Sequence, residues 1–261
     1  MGSTEVPGTR RGGLPSLCVL LLVLAAGPAE AQVARRPAGA ERGFITFDAV
    51  VQAAAADLSD RLFFEANAET GTVEAQYPGR TGVGVDGGFG IRVRGRMGVA
   101  VAVSHAASSG VASVVAEVPH PFFDDRHRHV EGEGPGISRT ETAVHLQLYY
   151  DLRPRGPWRA RLFAGPSYFN VEQELVTGVE TVEAFPFDTA SFGAARTTRV
   201  SGSAAGFNAG VDLSRMFGRQ IGGGMMVRYA RATVDLNAPG PRPVSTDSGG
   251  LQVGIGMRLV F

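Results

Sequence analysis

Lysine is absent from this 261-residue chain, whose 25 basic residues are all arginine and are balanced by 25 Asp and Glu. A formal net charge of zero lacks the basic surface expected of a nucleic-acid-binding protein, so we expect no nucleic-acid partner. The single cysteine, Cys18, excludes a disulfide framework and any metal site built from several cysteines. Gly (36) and Pro (15) are numerous, but 44% hydrophobic residues argue against disorder.

The N-terminal segment has the three parts of a secretory signal peptide: a positive region, an apolar run and a small-residue cleavage site. These parts are Arg10 and Arg11, then Leu14–Ala26, then Ala29 and Ala31. The apolar run is shorter than the roughly 20 residues that a transmembrane helix requires. We therefore expect residues 1–31 to be removed and residues 32–42 to form a short periplasmic lead.

The rest of the chain alternates between apolar and small or polar residues, which is the pattern of β-strands. It is clearest at the C-terminus, where every odd position from Leu251 to Phe261 is apolar. The pattern predicts eight strands, at 44–52, 82–93, 98–115, 141–152, 158–168, 206–214, 222–236 and 251–261. In the seventh strand the parity changes after Tyr229, which predicts a bulge near Arg228.

The predicted connections between strands are alternately short and long. The short turns fall near 94–97, 153–157 and 214–221, and the long connections near 54–80, 119–139, 177–199 and 238–247. This asymmetry is typical of outer-membrane barrels, whose turns face the periplasm and whose loops lie outside the cell. Residues 61–77 are strand-like, and we expect an extracellular hairpin there rather than a ninth and tenth barrel strand.

The C-terminal Met257, Leu259 and Phe261 resemble the signal by which outer-membrane barrels are recognised for assembly. Over residues 43–261 the chain is similar to the small barrels of the OmpX, OmpW and OmpA-transmembrane-domain group. The resemblance implies an all-β, eight-stranded antiparallel transmembrane barrel in the outer membrane of a Gram-negative bacterium. It also implies contact with outer-membrane lipid and lipopolysaccharide, and with the barrel assembly machinery during biogenesis.

The alternation also predicts which polar side chains point into the barrel. The inward set comprises Asp86, Arg92, His145, Gln147, Asp151, Arg161, Asn208, Asp212 and Arg258. An eight-stranded barrel is just wide enough for side chains to fill, and an unpaired charge in a dry interior is very costly. We therefore expect a hydrogen-bonded ion-pair network that plugs the lumen. A narrow solute path and a network that opens under a stimulus are the alternatives.

Two motifs suggest a bound cofactor or metal. Gly82–Gly87 fits the G-x-G-x-x-G pattern, but a dinucleotide site needs that pattern between a strand and a helix. Here it lies inside a predicted strand, so we expect no cofactor. His120, His127 and His129 are metal-capable residues, but an exposed polar loop is the simpler explanation, and we assign no metal ligand.

Ser104, His105 and Ser108 lie near the outer end of a predicted strand, where lipid A deacylases place a Ser/His pair. No orienting acid accompanies them, so we expect no catalysis. The predicted role is structural, surface-interacting or porin-like, with a small solute or a surface ligand at the loops as partner. The alternatives are a lipid-modifying enzyme and a soluble periplasmic barrel that binds an apolar ligand, for which the predicted polar lumen is unsuitable.

Overall fold

The computed structural model describes residues 42–53, 57–152, 156–238 and 244–261, with the backbone alone at 135 and 136. The expected signal peptide, including Ala29 and Ala31, lies outside the described residues. Among the described residues, no helix is long and apolar enough to cross a membrane.

The described chain is built from antiparallel strands. They are β1 (Gly43–Gln52), β2 (Leu58–Ala66), β3 (Glu69–Tyr77), β4 (Gly82–Arg94), β5 (Met97–Pro119), β6 (His127–Leu152), β7 (Trp158–Glu183), β8 (Ala190–Met216), β9 (Ile221–Leu236) and β10 (Val244–Val260). Eight of them close into a ring in the order β1–β4–β5–β6–β7–β8–β9–β10, with β10 paired to β1. Closure removes the free edges that hydrocarbon would leave without hydrogen bonds. The predicted eight-stranded antiparallel barrel is confirmed.

Strands β2 and β3 form a hairpin outside the ring. Its two turn residues, Asn67 and Ala68, both have positive φ (53° and 64°), as a two-residue type I′ turn requires. Above Gly82, where β4 begins, β3 pairs with β5, with Thr72–Gln76 opposite Ser113–Glu117. The structure thus has a hairpin where residues 61–77 predicted one, and the ring keeps eight strands.

A continuous apolar zone, here called the band, surrounds the ring at the end with the short β4–β5 and β8–β9 turns, here called the turn end. Its outward-facing segments are 45–51, 83–93, 97–103, 144–152, 158–168, 207–217, 221–229 and 251–261. Strand register keeps its upper edge level, since Val144 lies opposite Tyr168 and Tyr229 lies opposite Leu251. Most segments match the roughly 9–11 residues with which a tilted strand crosses a bilayer.

Aromatic side chains lie at both edges of the band. At the upper edge, the ring centroids of Phe207 and Tyr229 are 6.1 Å apart. At the lower edge, Phe89 stacks on Phe261 at 6.3 Å, and Trp158 is exposed at the start of β7. Such aromatic girdles flank the apolar surface of outer-membrane barrels.

Beyond the band the strands continue, and their two faces exchange character. On β7 the outward side changes from Leu162 and Tyr168 to Glu172, while the inward side changes from Ser167 to the fully buried Val171. We call this part, with the β2–β3 hairpin, the extension. Its apolar core includes Val73, Val114, Val130, Leu175 and Val234. Apolar side chains inside and polar side chains outside are the arrangement expected where the outer face of the strands is in water.

The extension accounts for two differences from the sequence prediction. Most of the long connections predicted at 119–139 and 177–199 is strand, which leaves turns at 120–126 and 184–189. The predicted bulge near Arg228 is wrong, because β9 keeps a continuous register with both neighbours through that residue. The change of parity marks the level at which the outer surface turns from apolar to polar.

Charge placed on the band should be far more costly than charge on the extension. Leu148 faces outward at mid-height in the band and is 63% exposed, so Leu148→Arg should lower the free energy of unfolding by about 2–4 kcal/mol in lipid. The control, Ser201→Arg on the outer face of β8, should change it by less than about 0.5 kcal/mol. Urea unfolding in vesicles measures both, and equal effects would contradict the assignment of the band.

Candidate functional site

The lumen of the band holds the polar side chains. Of the nine residues predicted to point inward, six are buried: Asp86, His145, Gln147, Asn208, Asp212 and Arg258. The other three, Arg92, Asp151 and Arg161, are partly buried at the turn end. The structure therefore brings all nine into the lumen, in an ion-pair group at the turn end, two buried arginine centres and a neutral cluster.

At the turn end, two arginines share one carboxylate. Arg92 Nη2 lies 3.0 Å from Asp151 Oδ2, and Arg161 Nε lies 2.9 Å from Asp151 Oδ1. The Arg161 guanidinium also lies over the ring of Phe44, 3.5 Å from its centroid. Phe44 in turn meets Tyr149 edge to face at 5.3 Å. Ion pairs and aromatic rings together occupy the lower mouth of the lumen.

Higher in the band, Arg258 bridges strands that are distant in sequence. Its Nη1 donates to Asp48 Oδ1 at 2.8 Å, and its Nε donates to Asp212 Oδ2 at 2.7 Å. All three side chains are almost fully buried. One arginine thus ties β10 to β1 and β8 across the lumen, and its hydrogen bonds to both carboxylates offset part of the cost of removing these charges from water.

Arg228 is the second buried centre and the largest fully buried side chain of the described residues. It donates to Asp86 at 2.6 Å and to Gln252 Oε1 at 2.8 Å. Gln252 donates to Gln52 at 2.7 Å, and Gln52 donates to Glu141 at 3.2 Å. These contacts link the middle of the lumen to the top of the band without a break.

Arg139 continues this chain of contacts to the upper mouth. Its guanidinium lies 3.5 Å from Glu141 and donates to Thr246 Oγ1 at 2.9 Å and to Ser248 Oγ at 3.1 Å. Another of its donors reaches the backbone oxygen of Asp247 at 2.8 Å. Arg139 therefore attaches β6 to the upper part of β10, where β1 has already ended.

A neutral cluster lies beside the two arginine centres. His145 contacts Ser104 Oγ through Nε2 at 3.1 Å and Ser167 Oγ through Nδ1 at 2.8 Å. Asn208 donates to Ser167 at 2.8 Å and accepts from Gln147 at 3.1 Å. Each of these side chains makes at least one hydrogen bond, as buried polar groups require.

The charges of the ion-paired residues in the lumen balance. Among the described residues, Arg92, Arg139, Arg161, Arg228 and Arg258 face Asp48, Asp86, Glu141, Asp151 and Asp212. A cavity of about 30 Å³ lies among Asp48, Asp86, Asp212 and Arg228. Another, of about 70 Å³, lies at the upper mouth and is lined by Gln52, Arg139 and Glu141. Each is space for a few water molecules at most. A neutral set of side chains thus fills the centre of the barrel.

Sequence reasoning missed six charged or amide members of this network: Asp48, Gln52, Arg139, Glu141, Arg228 and Gln252. Alternation along 44–52 and 251–261 already puts Asp48, Gln52 and Gln252 on the faces opposite the apolar ones. The predicted bulge left the direction of Arg228 unassigned, and Arg139 was placed in a predicted loop. Both errors come from the change of the outer surface at the edge of the band, which was interpreted as a bulge in one strand and as a strand end in the other.

The Ser/His candidate does not form a pair. Ser104 points into the lumen, whereas His105 points outward and contacts Thr142 Oγ1 at 2.9 Å. Adjacent residues of a strand face opposite sides, so Ser104 and His105 cannot meet at one reaction centre. Ser108 lies four residues further along β5, on the same face as Ser104.

The three candidate histidines are also separated. His120 is buried, while His127 and His129 lie on the outer face of β6. The two ring nitrogens of His129 lie 2.7 Å from Glu117 and 2.9 Å from Glu131, and these carboxylates raise the pKa of His129. No group of three or more His, Cys, Asp or Glu that could hold a metal occurs in the part of the chain that the structure describes.

The turns 120–126 and 184–189 meet at the far end of the extension, and we call them together the tip. They carry Phe122, Phe123, Phe185 and Phe187. The exposed fractions of the first three are 69%, 55% and 86%. Phe187 packs against both turns, with ring centroids 5.7 Å from Phe122 and 6.2 Å from Phe185. The tip is a cluster of exposed aromatic rings.

Ion pairs hold the two turns of the tip together. Arg126 lies 3.2 Å from Asp188, and Arg128 lies 2.7 Å from Glu183. Arg128 also donates to the backbone oxygen of Pro119 at 2.9 Å. These contacts fix the relative position of the two turns. The aromatic rings of the tip are therefore held in a defined arrangement.

The predicted assembly residues lie on the outside of the last strand. Met257 and Leu259 face outward in the band, and Phe261 follows β10. The backbone oxygen of Phe261 accepts hydrogen bonds from the amides of Arg42 (2.6 Å) and Gly43 (3.1 Å). Their role in assembly stays a prediction.

No family model and no curated protein matches the chain. Solved structures that resemble it include Neisserial surface protein A (NspA), with 12% identity over 84% of this chain and 97% of that chain and a TM-score of 0.40. Another is Ail, the attachment invasion locus protein of Yersinia pestis, in complex with the heparin analogue sucrose octasulfate. It has 8% identity over 85% of this chain and 99% of that chain, with a TM-score of 0.40. A third is the outer membrane protease OmpT from Escherichia coli, with 10% identity over 84% of this chain and 97% of that chain and a TM-score of 0.42. These are outer-membrane barrel proteins, and the fold of this chain is established by its own strand pairings.

The OmpT comparison corrects one expectation. From the missing acid beside Ser104 and His105 we expected a protein without catalysis, and that expectation is wrong, because a protease is among the similar structures. At 10% identity the likeness concerns the fold and assigns no reaction to this chain.

The buried ion pairs give a testable energy. Arg228→Met leaves the Asp86 carboxylate buried without its cation and should cost about 3–5 kcal/mol of unfolding free energy. Adding Asp86→Asn should recover much of that loss. The control, Arg61→Met, removes an exposed pair with Glu74 and should cost at most about 1 kcal/mol. Equal losses in Arg228→Met and Arg61→Met would contradict the network.

Proposed function

We propose that the chain is an integral outer-membrane barrel with a closed lumen, and that it acts outside the cell through its extension. The observation that carries this proposal is the neutral, side-chain-filled lumen. Moving an ion past the buried Arg228 and Arg258 would require their carboxylate contacts to break in a medium of low dielectric, which is costly. A porin-like role is therefore less well supported than a surface role.

The proposed orientation places the turn end in the periplasm and the extension outside. Short turns in the periplasm and long excursions outside are usual in these barrels, and the paired ends of the ring at Gly43 and Phe261 lie at the turn end. On this proposal residues 1–31 direct export and are cleaved after Ala31. Met257, Leu259 and Phe261 are the signal read by the assembly machinery, and the upper edge of the band contacts lipopolysaccharide.

The tip is the proposed contact surface. Exposed phenylalanines in a positioned cluster bury apolar area when a partner covers them. The same two turns carry three carboxylates, Asp124, Asp125 and Asp188, against one arginine, Arg126, which pairs with Asp188. The rim therefore has a net negative charge. The partner that fits is a protein surface with an apolar pocket and a basic rim.

Bilayer recording tests the closed lumen. The folded chain, identified by its heat-modifiable gel mobility, should insert without discrete conductance steps. Arg228→Ala/Arg258→Ala should give measurable current, because two large buried side chains are removed from the middle of the lumen. Steady conductance in the unchanged protein would contradict the proposal.

A peptide array tests the tip. Proteoliposomes carrying the chain should bind basic peptides with apolar anchors, and Phe122→Ser/Phe185→Ser should weaken binding at least about tenfold, because each buried Phe contributes about 1.5–3 kcal/mol. The control, Phe63→Ser, removes an exposed phenylalanine of the hairpin and should bind like the unchanged protein. Equal binding by all three, or no binding, would contradict the assignment of the tip.

A further inference from the structure

The zero net charge of the chain conceals a strong separation of charge along the barrel. In the described part of the extension, Asp and Glu outnumber Arg by more than two to one. At the turn end, five arginines are exposed: Arg42, Arg94, Arg96, Arg215 and Arg219. Among the described residues no outward-facing Asp or Glu lies at that end. The two ends of the molecule therefore offer surfaces of opposite sign.

The arginines of the turn end lie directly at the lower edge of the band. Arg94 follows Val93, the last outward apolar residue of β4, and Arg96 precedes the exposed Met97. The guanidinium of Arg215 lies over the ring of Trp158, 5.9 Å from its centroid. If the band is in hydrocarbon, these groups lie at the depth of lipid headgroups.

The five arginines are spread around the barrel. They come from the start of β1, the β4–β5 turn, the end of β8 and the β8–β9 turn. This is a ring rather than a pocket, so its shape matches the layer of lipids that surrounds a barrel better than a single soluble ligand.

Several of these arginines have guanidinium groups available for a ligand. Among the described residues, no carboxylate pairs with Arg94, Arg96 or Arg219, whereas on the extension Arg61 pairs with Glu74 at 3.0 Å. A guanidinium presents donors in a planar fork that binds phosphate bidentately, which the ammonium group of lysine does not.

We propose that this arginine ring binds the headgroups of anionic phospholipids in the leaflet at the turn end. The proposal rests on the membrane placement given under the proposed function. Arginines near an anionic surface gain electrostatic attraction that falls off within a Debye length. The acidic extension gains no such attraction to anionic lipid. The separation of charge therefore favours the orientation in which the turn end meets the anionic headgroups.

Trp158 is the only tryptophan of the chain and reports on this ring, because it contacts Arg215. The folded chain is placed in phosphatidylcholine vesicles in which a fixed fraction of lipid is either brominated phosphatidylglycerol or brominated phosphatidylcholine. Preferential binding should appear as stronger quenching of Trp158 by the anionic lipid, with a relative association constant of about 3–10 in its favour at low salt. Raising the salt to about 1 M, where the Debye length is about 3 Å, should bring the ratio close to one.

Variants separate the ring from general lipid contact. Arg215→Gln/Arg219→Gln should bring the low-salt ratio close to one while the heat-modifiable band is retained. The control, Arg196→Gln, removes an arginine that pairs with Glu180 on the extension, and its ratio should stay at the level of the unchanged protein.

The outcomes distinguish the two proposals. Equal quenching by both brominated lipids in the unchanged protein would overturn the lipid proposal and leave the membrane barrel intact. A ratio that survives in Arg215→Gln/Arg219→Gln would overturn the assignment to these arginines. Absence of quenching by either lipid would overturn the membrane placement itself.

Discussion

Hydrocarbon offers no hydrogen bonds to a polypeptide backbone, and this constraint shapes the whole molecule. It requires the sheet to close, so β10 returns to β1 and no ring strand in the band has a free edge. It also requires apolar side chains on the outside, which leaves the other face of every strand for polar residues. Beyond the band the outer face of the strands is in water, and the same strands enclose an apolar core there.

A closed ring of eight strands leaves little space inside, so its polar residues must satisfy one another. Arg228 and Arg258 do so by holding carboxylates and amides from β1, β4, β8 and β10. The resulting interior is neutral and filled. We therefore propose that function lies on the surfaces that remain available, which are the aromatic tip at one end and the arginine ring at the other.

The sequence predicts well those parts of the fold that keep one environment along a strand. Residues 251–261 lie wholly in the band, and strict alternation identifies the strand and its inward Arg258. Prediction failed where a strand passes from lipid to water, as at Tyr168 and Tyr229. There the apolar residues move to the other face, which resembles the end of a strand or a bulge when only the sequence is read. The tip could not be predicted, since its two turns meet only through the packing of long hairpins.

The exchange of faces along β7 is the central claim, and spin-label accessibility tests it most directly. In a Cys18→Ser background, single nitroxide labels are placed at the outward positions 162, 164, 168, 170, 172 and 174 of the lipid-embedded chain. We predict that labels up to 168 collide with oxygen dissolved in lipid, and that labels from 170 onward collide with a water-soluble nickel reagent. Nickel access at 162 and 164, or no nickel access at 170–174, would contradict the account.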